Sequence, residues 1–167
     1  MKKILFVVVL LAFCRLFGAN IYLGSSTSGS VIYNYSPSEK RLYRGSSTSG
    51  SAVFTYEPGN NPRVYRGSST SGSVACIFEY SGNSLIRMYR GSSTAGSASY
   101  IWEFGSTPRI YRGSSTAYPV AYILEYGNSL LRIYRGSSTA GSVFAVVEKW
   151  DELPKPMLMF IITLIGE

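Results

Sequence analysis

Residues 64–80 read VYRGSSTSGSVACIFEY, and the first half of this stretch recurs along the chain. The string Gly-Ser-Ser-Thr starts at six positions, with spacings of 21, 22, 24, 22 and 23 residues: Gly24, Gly45, Gly67, Gly91, Gly113 and Gly136. Self-similarity at a nearly fixed period identifies a repeat protein, in which each unit buries its apolar face against its neighbours. The period therefore predicts the architecture, but it carries no information about a ligand.

Each copy begins as a short run of branched and aromatic residues that a Gly and Ser cluster ends, as in residues 64–69. Such a run is typical of a strand, and the cluster is typical of a turn. After the turn, alternate positions are apolar, for example Val74, Cys76, Phe78 and Tyr80. A period of two indicates a second strand with one face in the core.

Further turn signals, such as Pro58-Gly59 and Gly127-Asn128, end the second strand, so that two strands and two turns use up each period. We therefore predict an all-β fold of radially repeated antiparallel β-hairpins, about twelve strands in all, closed on themselves. A lone first strand at 21–23 would pair with a lone last strand at 143–148 and leave no sheet edge. A parallel solenoid with one repeat per coil is the alternative, but short loops favour hairpins.

The first residues predict export. Met1-Lys2-Lys3 precedes an apolar run over residues 4–13, and Ala19 is a small residue at a plausible cleavage site. This pattern predicts a signal peptide at 1–19 and a location in the periplasm, at the cell surface or outside the cell. An uncleaved anchor and a lipid on Cys14 are the alternatives, although the apolar run is shorter than the roughly 20 residues of a membrane span.

The charge of the chain partly belongs to this segment. Removing residues 1–19 takes away three basic residues and no acid, which lowers the formal charge from +7 to +4. The remaining excess suits an anionic wall, membrane surface or polysaccharide, but also plain solubility. Export and the small charge argue against nucleic acid as a partner. Cys76 is then the one remaining cysteine, and its place on the apolar strand face predicts a buried thiol.

The repeat domain is expected to cover 20–149, and residues 150–167 depart from the pattern. Pro154 and Pro156 lead into an apolar run at 157–165, which is too short to span a membrane. We expect a short apolar helix that fills the middle or one open end of the ring. A last β-strand is the alternative, because several residues of the run are β-branched.

The charges also repeat. Each unit after the first carries one Glu on its first strand and two Arg on its second, for example Glu79 with Arg87 and Arg90. Opposite charges across a hairpin stabilise it by roughly 0.2–1 kcal/mol per pair. A salt-bridged strand surface is therefore the favoured interpretation of these arginines, ahead of ligand binding.

The composition excludes several kinds of chemistry. The chain has no His, and Asp151 is its one Asp, which excludes histidine triads, imidazole zinc sites and the usual calcium loops. We expect no catalytic residues, no metal, no cofactor and no enzymatic activity, because the remaining Ser, Glu, Tyr and Arg recur in equivalent positions.

Two functions are left. The first is an exported structural or interaction protein of the bacterial cell envelope, whose partner is an envelope polysaccharide or a protein. The alternative is a module that binds an anionic glycan or peptide through many weak contacts. The latter requires exposed tyrosine rings, and its candidate residues are Tyr65, Arg66, Tyr89, Arg90, Tyr111 and Arg112.

The chain combines an export signal, a short apolar C-terminal segment and the repeated pattern Ile/Leu/Val/Met-Tyr-Arg-Gly-Ser-Ser-Thr-Ser/Ala-Gly-Ser-Val/Ala. This combination resembles the five-fold beta-flower proteins, an uncharacterised bacterial family. The resemblance covers nearly the whole chain after the signal peptide. It implies a radially symmetric all-β ring of hairpin petals in an exported protein, and it implies no activity. Leu23 in place of Arg, and Tyr118-Pro119 in place of Gly-Ser, predict local breaks in the symmetry.

Overall fold

The computed structural model describes residues 18–118 and 120–167. In these residues it contains twelve β-strands, a 3₁₀ turn at Trp150–Glu152 and one α-helix, α1, at Lys155–Gly166. The strands are β1 (Ala19–Leu23), β2 (Val31–Ser36), β3 (Arg41–Arg44), β4 (Phe54–Glu57), β5 (Arg63–Arg66), β6 (Val74–Ser81), β7 (Leu85–Arg90), β8 (Tyr100–Glu103), β9 (Arg109–Arg112), β10 (Val120–Tyr126), β11 (Leu130–Arg135) and β12 (Val143–Glu148). Most of the predicted signal peptide lies outside the described residues, and β1 begins at Ala19, the last residue of that segment.

The strands form one closed barrel, in which each pairs antiparallel with the strand before it and the strand after it. The closing pair is β1 with β12, whose register places Ile21 opposite Val147 and Leu23 opposite Ala145. The predicted antiparallel hairpins and the pairing of the first and last strands are confirmed, and the parallel solenoid is wrong. Because every strand of the described chain has two neighbours, its sheet has no open edge.

The repeat motif alternates between the two faces of the barrel wall. In β5, Val64 is fully buried among the inner core residues, and Tyr65 lies on the outer wall. Arg66 faces inward again at the end of the strand, opposite the inner residue Phe54. The other odd-numbered strands from β3 to β11 also end in an arginine at this end of the barrel, and β1 ends there in Leu23. We call the turns at that end the crown: residues 24–30, 45–51, 67–73, 91–97, 113–118 and 136–142.

The Gly-Ser-Ser-Thr string builds the crown turns. Gly67 has a φ of 85°, and its amide donates a hydrogen bond of 2.8 Å to the carbonyl of Val53, the residue before the neighbouring strand β4. The hydroxyl of Ser69 accepts a hydrogen bond of 3.1 Å from the amide of Ser71. Both contacts recur in the other five copies. The positive φ favours glycine and the amide partner favours serine, which explains why the string repeats.

Helix α1 enters the barrel at the end opposite the crown and runs towards the crown. Eight of its residues, 156–163, are buried. A helix can be buried on all sides in this way only if it is apolar around its whole circumference. The ring of Phe160 packs edge-on against that of Phe54, with centroids 4.7 Å apart. The predicted helix that fills the ring is confirmed, and the alternative of a last strand is wrong. Within the described residues, no helix is long and apolar enough to cross a membrane.

The barrel should depend on this helix for its stability. Ile161 is fully buried, and Ile161→Ala should lower the free energy of unfolding by about 2–5 kcal/mol, because it leaves a cavity in the core. Ile165→Ala is the matched control, since Ile165 is only half-buried and Ala favours the helix. Urea denaturation of both variants measures the difference. Equal losses would contradict a plug that supports the barrel from within.

Candidate functional site

Five arginines lie at the crown end of the barrel. Each is the exposed last residue of an odd-numbered strand and lies directly opposite an inner-face residue of the preceding strand. We call them the arginine ring: Arg44, Arg66, Arg90, Arg112 and Arg135. β1 supplies Leu23 at the sixth position, and its side chain is 52% exposed. The ring therefore has five cationic positions and one apolar gap.

Acidic residues are almost absent from this mouth. Of the nine acids of the chain, six accept a hydrogen bond from the repeat tyrosine on the outer wall, and two lie in the 3₁₀ turn at the opposite end. The ninth, Glu167, forms an ion pair with Arg90 and accepts a hydrogen bond of 3.2 Å from the hydroxyl of Tyr100. Five arginines against one glutamate make the mouth a positive surface that attracts anions.

Aromatic side chains position part of the ring. The guanidinium carbon of Arg135 lies 4.0 Å from the centroid of the Phe144 ring, and that of Arg112 lies 5.9 Å from the centroid of Tyr100. A cation over an aromatic face gains attraction while its N–H groups remain free for another partner. These contacts hold two arginines at the mouth without neutralising them.

Two cavities open between neighbouring arginines, beside the end of α1. One, of about 230 Å³, lies between Arg66 and Arg90, and the other, of about 300 Å³, lies between Arg112 and Arg135. Gly166 borders the second cavity and lies so close to the Tyr122 hydroxyl that a side chain at 166 would meet it. Since α1 fills the barrel below, a ligand at this end contacts the mouth and its two cavities.

The structure separates the predicted binding residues into two groups. Arg66, Arg90 and Arg112 all belong to the arginine ring, together with Arg44 and Arg135, which were not among the predicted binding residues. Tyr65, Tyr89 and Tyr111 lie on the other side of the wall, where they are 7%, 8% and 6% exposed. Their hydroxyls donate hydrogen bonds of 2.7–2.8 Å to Glu57, Glu79 and Glu103.

The tyrosine rings therefore offer no free face to a ligand, and the binding hypothesis loses the aromatic contacts that it required. Strand alternation could have separated Tyr from the adjacent Arg, because neighbouring residues of a strand point to opposite faces.

The same alternation corrects the predicted salt bridges. Glu57 lies opposite Arg63, and Glu79 lies opposite Arg87, as expected for the first arginine of each unit. The second arginine belongs to the ring on the other face, so its predicted place on the salt-bridged surface is wrong. On the outer wall of the described chain, the Glu–Arg pair within 4 Å is Glu125 with Arg132, at 3.6 Å.

Cys76 lies on the inner face and is 1% exposed, which confirms the predicted buried thiol. Burial raises the pKa of the thiol, which disfavours the reactive thiolate. Within residues 18–118 and 120–167, no three His, Cys, Asp or Glu side chains lie close enough to hold a metal ion.

No protein-family model, no curated protein and no solved structure matches the chain. The resemblance to the five-fold beta-flower family therefore stays a prediction. A closed ring of hairpins is the fold that this resemblance implies, but a fold alone establishes neither a family nor a function.

Because of the tyrosine–glutamate hydrogen bonds of the outer wall, the free energy of unfolding should fall as the pH becomes alkaline. Burial and then the bond to its glutamate raise the pKa of Tyr89 and of Tyr111, while at Tyr134 the bond to Glu125 comes first and burial second. A phenol whose pKa is raised by folding stabilises the fold below the unfolded value of about 10. This contribution is lost as the pH rises through the folded-state pKa.

Replacing all three tyrosines with Phe should lower the free energy of unfolding at neutral pH by about 0.5–1.5 kcal/mol per bond. The triple variant should also lose less stability than the wild type above pH of about 10. Tyr118→Phe is the control, because Tyr118 is 51% exposed. Denaturation curves across this pH range measure both effects, and parallel pH profiles would contradict the assignment.

Proposed function

We propose that the protein is an interaction protein, exported to the cell envelope of a bacterium, that binds an anionic glycan at the crown end of its barrel. The observation that carries the proposal is the position of five arginines, from five different strands, around one mouth that holds a single glutamate. Of the two functions expected from the sequence, this geometry favours binding, with contacts made by arginine rather than by tyrosine.

The ring suits a ligand with several anionic groups. A guanidinium group presents a planar fork of donors that matches carboxylate, phosphate and sulfate oxygens. Each arginine belongs to an equivalent hairpin of a closed barrel, so the spacing between them is set by the wall rather than by loops. Several weak contacts at fixed spacing add up when one polymer carries the matching charges.

The crown favours a glycan over an acidic peptide. The residues that follow each crown glycine are exposed, and most are Ser or Thr. Their hydroxyls surround the ring and both donate and accept hydrogen bonds, as the hydroxyls of a sugar do. An acidic peptide would also use the arginines and would offer only its backbone amides and carbonyls to these hydroxyls, whereas each sugar of a glycan offers several hydroxyls of its own. Export adds that the ligand lies outside the cytoplasm, where anionic envelope glycans occur.

Replacement of ring arginines should abolish binding, while replacement of the same number of outer-wall arginines should not. The triple variant Arg66→Ala, Arg90→Ala and Arg112→Ala should lose retention on immobilised anionic envelope polysaccharide at low salt. The matched control carries Arg63→Ala, Arg87→Ala and Arg109→Ala, which lowers the net charge equally on the same three hairpins. Wild-type retention should fall as added salt shortens the Debye length from about 30 Å at 0.01 M to about 10 Å at 0.1 M.

Two results would overturn this proposal. Equal losses of retention in the two triple variants would indicate attraction by net charge alone. No retention of the wild type at low salt would exclude anionic glycans as the ligand. Stronger retention on immobilised poly-glutamate than on the glycan would assign the ring to an acidic peptide instead.

Export has a separate test. When the full chain is produced in a bacterial host, the protein recovered from the periplasmic extract should begin at Asn20, as measured by intact mass. The full-length mass in the cytosolic fraction would contradict export and leave the arginine ring as a site for a cytoplasmic anion.

A further inference from the structure

The cavity between Arg66 and Arg90 differs from the rest of the mouth. Its volume of about 230 Å³ lies just below the range of about 300–1,000 Å³ that is typical of ligand pockets. Its floor contains the apolar side chains of Phe54, Met88 and Phe160, and its rim carries the two guanidinium groups. A small ligand here would meet an apolar surface below and two cations above.

Cys76 explains why the cavity is on this hairpin. The inner residues opposite the other ring arginines are Tyr33, Phe54, Tyr100 and Tyr122, whereas Cys76 lies opposite Arg90. A cysteine in place of an aromatic ring leaves space between the wall and α1, and the cavity occupies that space. The break in the repeat thus gives this cavity an apolar floor, whereas Tyr100 and Tyr122 line the second cavity.

The chain itself shows which group the rim binds. The Glu167 carboxylate pairs with Arg90 and accepts the hydrogen bond from Tyr100, at the edge of the cavity. Among the described residues, Arg66 has no acidic side chain within ion-pair distance. One arginine of the pair therefore already holds a carboxylate, and the other is free to receive one.

We propose that this cavity is a subsite for a carboxylate carried on a short apolar body. Arg66 and Arg90 bind the carboxylate, the body rests on Met88 and Phe160, and Glu167 is a built-in competitor that a ligand displaces from Arg90. The subsite rests on the proposed function when the carboxylate is a substituent of the glycan. A free small acid carries the same chemistry.

The probe is 4-fluorobenzoate, whose binding to the full chain is followed by ¹⁹F NMR. Cys76→Tyr fills the cavity with the residue type of the other hairpins, and it should weaken binding by more than about tenfold, a change equivalent to 1.4 kcal/mol. Arg66→Met should weaken binding similarly, and Arg63→Met, on the same strand but on the outer wall, should not change it. Glu167→Gln removes the competing charge and should tighten binding severalfold.

Val74→Trp, at a half-buried position that lines the same cavity, replaces Cys76→Tyr if the latter does not fold. No binding to the wild type, or unchanged binding when the cavity is filled, overturns the subsite. Weaker binding to Glu167→Gln overturns the competitor role and makes Glu167 part of the site.

The source of the carboxylate is assigned by competition. Displacement of the probe by a carboxylated envelope oligosaccharide, but not by its carboxyl-reduced form, assigns the carboxylate to the glycan. Absence of displacement assigns it to a free small acid. Glycan retention without probe binding overturns the subsite alone, and probe binding without glycan retention overturns the proposed function alone.

Discussion

The interior of a twelve-strand barrel has to be filled, and the rest of this structure depends on how α1 fills it. An eight-strand barrel closes on a space that side chains alone can fill, and a larger one leaves more room. Here the helix takes that room, with residues 156–163 buried on all sides. Its one polar side chain in this stretch, Thr163, donates its hydroxyl to the Phe160 carbonyl, which avoids an unpaired buried group. The end of the helix, at Gly166, forms the floor of the crown mouth.

The second constraint is the alternation of side chains along each strand, which divides the Tyr-Arg pair of the motif between two surfaces. Tyrosine faces out and donates its hydroxyl to a glutamate, so most of the negative charge of the chain is used on the outer wall. Arginine faces in at the rim, where the wall ends and acids are scarce. The same Tyr-Arg pair thus stabilises the barrel through its first residue and makes the mouth positive through its second, without a dedicated binding loop.

The sequence predicts the strands, the antiparallel hairpins and the closing pair well, because the period of two and the Gly-Ser turns are local signals. It also places an apolar helix in the ring, since residues 157–165 cannot span a membrane and need a core to cover them. The mouth is harder to predict. Arg44 and Arg135 belong to the ring because the odd-numbered strands end at the same level along the barrel axis. This alignment is a property of the strand register. The cavity at Cys76 exists only once the helix is docked against the wall, so no local pattern reveals it.

The departures from the repeat make the two sides of the mouth different. A ring of equivalent arginines would bind a ligand in any rotation about the barrel axis. Leu23 on β1 removes one charge, and Cys76 on β6 opens a cavity, and these two strands lie nearly opposite each other among the twelve. A ligand that crosses the mouth therefore meets the exposed Leu23 on one side and the cavity between Arg66 and Arg90 on the other. Because the contacts at the two ends of the ligand differ in free energy, one orientation of the ligand is favoured. An otherwise symmetric wall thus acquires a site with a preferred orientation.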